Sequence, residues 1–437
     1  MKNISLFVCL CLTLLSVVSV TWAWLPSQNP IRGVNLGGLF VSEQWMMNDQ
    51  WNSIGCGGRN DEWECVQALG QGKADAAFQQ HWSTWITQAD ITEIASYGLN
   101  TVRIPLGFWM KEDLVRSDEH FPRGGFPYLE QICRWARDAG LYIILDLHAG
   151  PGGQDKNEQF TGHSVNYPNF FRSDNYERAY EFLEWLTETR HTNKNFANVG
   201  AIEVMNEPRP ETDIEKKSLL DKYNPTAYDR IRAVEDRLGI TQNNQLHIQF
   251  MGSRWGEGNP IQHWGSAPYF SLFDDHKYLH WDNGVPATRR DYLTHSCYDN
   301  VGAGSNSGNK PLIVGEWSLS PRDGDNAAFN ISASDAVSWY GQWFAAQLRD
   351  YEKQRGWVFW SWKTNWIGGR NDWRWGYQQA VRAGVIPKSI DDAVAMNVKR
   401  VSTPHSPFPD EDSGDRDLQQ TLEQEGGTLV TVTVQDS

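Results

Sequence analysis

Eight short apolar runs, separated by segments with helical periodicity, recur along most of this 437-residue chain, and that alternation limits its fold more than any other feature. The runs are IRGVNLGGLF (31–40), NTVRIPLG (100–107), LYIILDLH (141–148), VGAIEVMNEP (199–208), LHIQFMG (246–252), a weaker stretch at 273–281, PLIVGEWSLS (311–320) and GWVFWSWK (356–363). Runs that are apolar on both faces belong to strands buried in a parallel sheet. Helices are predicted at 81–97, 128–139, 175–192, 223–238, 289–298, 334–354 and 378–383, with Gly98, Gly140 and Gly239 closing three of them. Residues 44–72 read as an irregular insertion rich in Gly and Cys. The pattern predicts an α/β protein, a (β/α)8 TIM barrel with long loops. A doubly wound open sheet is the competing arrangement, but no GxGxxG or P-loop pattern accompanies it.

Lys2, an apolar run to Val20 and a small-residue end near Ala23 have the layout of a secretory signal peptide, residues 1–23. That run is short for a bilayer span, and no other stretch is long and apolar enough. Residues 24–402 are then the barrel domain. From Thr403 the composition turns proline-rich and acidic, so 403–437 is expected to be a flexible tail. A secreted or wall-associated location and a monomeric state are expected.

Four of the six cysteines survive removal of the leader, and an oxidising compartment predicts two disulfides with three possible connectivities. Cys56–Cys65 is favoured because it closes a short Gly-rich loop, which leaves Cys133–Cys297; the alternative for Cys133 is a buried helix thiol. Asn330, Ile331 and Ser332 form a glycosylation sequon. The formal net charge of −15 argues against nucleic acid or an anionic membrane as partner and suits a neutral ligand. The 22 tryptophans offer flat faces on which sugar rings can stack, although most tryptophans pack in cores.

Polar side chains cluster where the strands end. Arg103 lies in the second run, His148 ends the third, Asn206 and Glu207 end the fourth, and His276 and Tyr278 lie in the weak sixth. Glu316 ends the seventh and Trp360 lies in the eighth. In a barrel these ends meet at one mouth. Each taken singly reads equally well as a strand cap or ion pair; two glutamates in matched contexts, more than a hundred residues apart, point to a catalytic pair. Retaining glycoside hydrolysis needs such a pair, one carboxyl as acid/base and one as nucleophile. Their surroundings must then split the two pKa values. Glu207 is the expected acid/base and Glu316 the nucleophile. Arg103 and Tyr278 are expected to hold Glu316 ionised, and His276 to tune the proton of Glu207. Asn206 is expected to bind the sugar 2-hydroxyl, and Trp360 to form the floor under the reacting sugar. No HExxH, CxxC or GxSxG pattern calls for a metal, another cofactor or a serine nucleophile.

These motifs, RGVNLGG (32–38), VRIPLG (102–107), DLH with GPGGQ (146–154), MNEP (205–208), HKY (276–278), GEWS (315–318) and WVFWSWK (357–363), resemble glycoside hydrolase family 5 in order and spacing. The resemblance runs from about residue 31 to 387. It implies a barrel, retention and functional roles for Arg103, His148, Asn206, Glu207, His276, Tyr278, Glu316 and Trp360. Within the family the chain looks like the fungal β-glucanase branch. GCGGRNDEWECVQALGQ (55–71), AFQQHWSTWIT (77–87), EDLVRSDEHFPRGG (112–125) and FLEWLTETRHTN (182–193) resemble secreted endo-β-1,6-glucanases more than exo-β-1,3-glucanases. Exo-β-1,3 enzymes usually carry Glu-Pro-Trp after the first strand, whereas Gln44 stands between Glu43 and Trp45 here. The resemblance makes a β-glucan the expected partner, with Glu43 as a sugar contact. Trp366, Trp373 and Trp375 are candidate stacking platforms, or loop packing. An exo-β-1,3-glucanase and an inactive carbohydrate-binding wall protein are the alternative functions.

Overall fold

A computed structural model describes residues 30–398, apart from 256–257, 300–307, 323, 325, 366, 368–371 and 397. The predicted leader and the acidic tail therefore lie outside the described residues. Eight parallel strands close into one barrel in chain order: β1 (Ile31–Asn35), β2 (Thr101–Gly107), β3 (Tyr142–Ala149), β4 (Val199–Glu203), β5 (His247–Met251), β6 (Ser271–Lys277), β7 (Leu312–Trp317) and β8 (Gly356–Phe359). β1 pairs with both β2 and β8, which closes the sheet.

Helices α1 (Asn48–Ile54), α2 (Glu62–Leu69) and α3 (Gln71–Thr84) follow β1, so the segment 44–72 is largely helical rather than irregular. The single helix expected at 81–97 is two. α3 stops at Thr84, and α4 (Gln88–Ser96) restarts where Thr87 and Asp90 form a reciprocal capping box. The outer ring continues with α5 (Phe126–Asp138), α6 (Ser173–Thr192), α7 (Asp213–Ser218), α8 (Asn224–Arg237), α9 (Arg289–Tyr298), α10 (Ala336–Tyr351) and α11 (Tyr377–Arg382). No described helix is long and apolar enough to cross a membrane.

The Cys56–Cys65 disulfide ties the end of α1 to α2. The Cys133–Cys297 bridge does not form: Cys133 is a buried free thiol. It sits on α5, after β2, while Cys297 sits on α9, after β6, on the far side of an eight-stranded barrel. A disulfide needs Cα atoms within roughly 7 Å. Asn330 of the sequon is exposed.

The barrel interior changes character along its axis. Ile31, Tyr142, Ile144, Ala201, Leu272, Ile313 and Val358 make one apolar cluster, each at most 4% exposed. Two residues further along the same strands come Asp146, Glu203 and Asp274, joined by Asn35, Arg103 and Gln249, all fully buried. Successive inward positions in a strand are two residues apart. β3 thus runs Tyr142, Ile144, Asp146, His148, and β6 runs Leu272, Asp274, His276. The apolar layer seals one end and the polar layer supports the mouth.

Candidate active site

Arg103, on β2, is the centre of the polar layer. Its Nε donates to Glu203 Oε2 (2.9 Å), Nη1 to Asn35 Oδ1 (3.0 Å) and Glu316 Oε1 (2.8 Å), and Nη2 to Asn206 Oδ1 (2.8 Å). Asp146 Oδ2 lies 3.0 Å from Nη2. Burial alone would lower the guanidinium pKa, but the carboxylates of Asp146, Glu203, Glu316 and Asp274 overrule it and raise it. Burial drives the pKa of Glu203 upward and pushes Asp146 to about 8.

Glu316 receives a second donor, the Tyr278 hydroxyl, 2.8 Å from Oε2. Burial, reinforced by Glu316 and Glu207, raises the Tyr278 pKa, so the phenol keeps its proton and donates. Tyr278 lies just beyond β6, which ends at Lys277 rather than at 281.

Glu207 follows β4 by four residues, because the strand ends at Glu203 and an extended turn carries the chain to the mouth. Its backbone is left-handed, φ 40°, an unusual conformation for a non-glycine residue and one that concentrates at functional sites. His276 Nδ1 lies 2.5 Å from Glu207 Oε1 and 3.5 Å from Glu316 Oε2. One oxygen of each glutamate and a ring nitrogen of His276 all fall within 4.8 Å of one another. Burial alone would lower the His276 pKa, but Glu316, Glu207 and Asp274 together raise it well above its ordinary value.

His148 is different. Its Nδ1 pairs with Asp146 Oδ2 at 2.7 Å, and burial lowers its pKa to about 3, so the ring is neutral. It stacks on Trp360, with ring centres 5.5 Å apart and planes 8° from parallel.

A cavity of about 1030 Å³ opens over this centre. It is lined by Glu43, His148, Asn206, Glu207, His276, Tyr278, Glu316 and Trp360, so the expected mouth residues are assembled together, with Arg103 beneath them. Trp375 also lines it, beside Trp45 and Trp281. Trp373 does not: it is buried edge-on against Tyr340 of α10, with ring centres 4.8 Å apart, and serves packing. Trp366 falls outside the described residues. Glu43 accepts from Trp45 Nε1 at 2.8 Å, and burial pushes its pKa up to about 8.

Sequence reasoning missed several residues here. Asp155, Glu158, Arg209 and Trp255 form the wall beside Glu207, with the Arg209 guanidinium 4.5 Å over the Trp255 ring. Burial, with repulsion from Asp155 and Glu207, raises the Glu158 pKa to about 7. The buried acids Asp146, Glu203 and Asp274 were also missed, although each interrupts an apolar run at an inward position, a pattern legible in VGAIE and SLFDD.

The profile of the family described as Cellulase (glycosyl hydrolase family 5) matches residues 66–365. Glucan endo-1,6-beta-glucosidase B of Emericella nidulans is 50% identical over 369 residues, covering 84% of this chain and 88% of that protein. A protein of Aspergillus fumigatus named "Probable glucan 1,3-beta-glucosidase A" is 29% identical over 392 residues, covering 83% and 88%. Among solved structures, the rutinosidase from Aspergillus niger superposes with a TM-score of 0.64 at 21% identity, over 82% of this chain and 98% of that one, a likeness of fold.

Proposed function

Because the chain belongs to glycosyl hydrolase family 5, we propose that it is a secreted endo-β-1,6-glucanase that works by double displacement, with Glu207 as acid/base and Glu316 as nucleophile. The observation that carries the mechanism is the approach of the two carboxylates. One oxygen of each lies within 4.8 Å of the other, an approach that suits the roughly 5–5.5 Å separation of retaining enzymes better than the roughly 6.5–9.5 Å of inverting ones.

In the first step Glu316 attacks the anomeric carbon while Glu207 passes its proton to the glycosidic oxygen. The C–O bond breaks, and the sugar is left esterified to Glu316. Water then attacks the same carbon, Glu207 takes the proton, and Glu316 is released. Arg103 and Tyr278 present only donors to Glu316, an arrangement suited to an ionised nucleophile. Asn206 spends Oδ1 on Arg103, which leaves its amide nitrogen for the 2-hydroxyl. Trp360 and the neutral ring of His148 wall the reacting sugar.

The linkage assignment is supported by the 50% identity to the Emericella nidulans protein. A cavity of about 1030 Å³ also exceeds the needs of one sugar, which suits attack within a chain. The test is hydrolysis of a linear β-1,6-glucan followed by NMR of the anomeric protons. Rapid shortening with β-configured new ends is expected. Glucose as sole early product from a β-1,3-glucan, with the β-1,6 polymer untouched, would overturn linkage and mode together. Glu316→Gln should bind the polymer without turning it over; persistent turnover would reject the nucleophile.

A further inference from the structure

Beneath Glu316 the hydrogen bonds of the polar layer close into a ring. Arg103 Nη1 donates to Asn35 Oδ1 (3.0 Å), and Asn35 Nδ2 donates to the carbonyl of Gly315 (2.9 Å). The Gly315 N–H donates to Asp274 Oδ1 (2.6 Å), and Gln249 Nε2 donates both to Asp274 Oδ2 (2.8 Å) and to Glu203 Oε2 (2.9 Å). Glu203 Oε2 returns to Arg103 Nε at 2.9 Å. The circuit draws on β1, β2, β4, β5, β6 and β7. The peptide it grips on both sides is Gly315, immediately before Glu316.

We propose that Gln249, Asp274 and Asn35 are positioning residues for the nucleophile, holding the Gly315 peptide and the Arg103 fork in one register so that Glu316 meets the anomeric carbon without reorganisation. All three are fully buried and none lines the cavity, so none touches substrate. Gln249 is the closing link, since its amide nitrogen carries two hydrogens and two carboxylate oxygens face it. Gly315 has no room for a side chain: a Cβ there would lie 2.0 Å from Asp274 Oδ2. Interior packing makes such a site discrete rather than deformable. A misplacement of about 1 Å costs on the order of 10²-fold in rate.

This inference rests on Glu316 being the nucleophile, and a covalent trap tests the two separately. A 2-deoxy-2-fluoro-β-glucosyl fluoride forms a slowly hydrolysed ester, located by peptide mass spectrometry. Failure of the wild-type protein to label at Glu316 would reject the nucleophile and leave the ring a structural feature. With labelling established, Gln249→Met and Asn35→Ala are each expected to slow it about 10- to 100-fold per folded molecule. They should lower kcat on β-glucan to match, with KM within about threefold, because substrate contacts are intact. Labelling and kcat at wild-type rates in either folded variant would overturn the proposal, as would losses no larger than the folded fraction measured by thermal unfolding. If Gln249→Met does not fold, the isosteric Gln249→Glu replaces the shared donor with an acceptor facing Asp274 and carries the same expectation.

Discussion

The Nδ1 of His276 lies 2.5 Å from Oε1 of Glu207, and the same ring nitrogen is 3.5 Å from Glu316, so one imidazole stands between the two glutamates. Surrounding carboxylates raise its pKa, so the ring carries a proton toward Glu207 when the site is empty. His276→Gln keeps a donor but no titratable charge. Its kcat on β-glucan should fall by about 10²-fold, near the lower end of what a positioned proton donor contributes. In kcat/KM, which reads the first step alone, the loss on 4-nitrophenyl β-glucoside should be much smaller, because that leaving group departs without a proton. Equal losses on both substrates would show that His276 does not act through Glu207.

Arg103 gives three nitrogens to Asn35, Asp146, Glu203, Asn206 and Glu316 with no access to water. Removing one partner of a buried ionic network leaves charge uncompensated, at about 3–5 kcal/mol. Arg103→Met should lose that much stability in urea titration. Arg103→Lys keeps the charge but not the fork, and should be less destabilised while remaining nearly inactive. A fully active Arg103→Lys would mean that charge alone, without geometry, serves Glu316.

Trp281 is 61% exposed at the cavity lip, edge-on to Tyr278 at 4.9 Å and beside Trp375. A large aromatic left in water beside a cavity roomier than one sugar reads as a docking surface for a chain that extends beyond the reacting residue. Trp281→Ala should raise KM on long β-glucan about three- to tenfold, matching the roughly 0.5–1.5 kcal/mol of an aromatic contact. Thermal stability and hydrolysis of the aryl glucoside should change little. An unaltered KM on polymer would remove Trp281 from the substrate path.

Much of this architecture was open to reading from residue order, and the failures have physical causes. β3 and β7 were legible because their outward faces are continuously apolar. β6 was weak because it carries Asp274 and His276 inward, with Asp275 between them, so its hydropathy resembles a loop. The strand before Glu207 ends earlier than its hydropathy implies, since Val204 and Met205 are buried beyond the last ladder position. Trp373 and Trp375 share one short turn after β8, and only contacts from α10 and from the mouth decide which is core and which is cavity. Cys133 could be paired on paper with Cys297 because counting cysteines carries no information on which side of a barrel each helix packs.

Buried titratable groups also set how stability responds to pH. Burial raises Glu43 and Glu62 to about 8 and Glu158 to about 7, and lowers His148 to about 3 and His81 and His247 to about 4. For the raised acids, the folded chain holds protons that the unfolded chain has released, so stability falls as pH climbs from 6.5 to 8. For the lowered histidines, the unfolded chain binds protons that the folded chain refuses, so stability falls again as pH drops below about 4.5. Between these limits the two sets oppose one another, which places the maximum between about pH 4.5 and 6.5. Thermal unfolding across pH 3–9 should give a midpoint that peaks in that window and declines on both sides. A midpoint that rises steadily from pH 6.5 to 8 would mean that Glu43, Glu62 and Glu158 are already ionised in the folded protein.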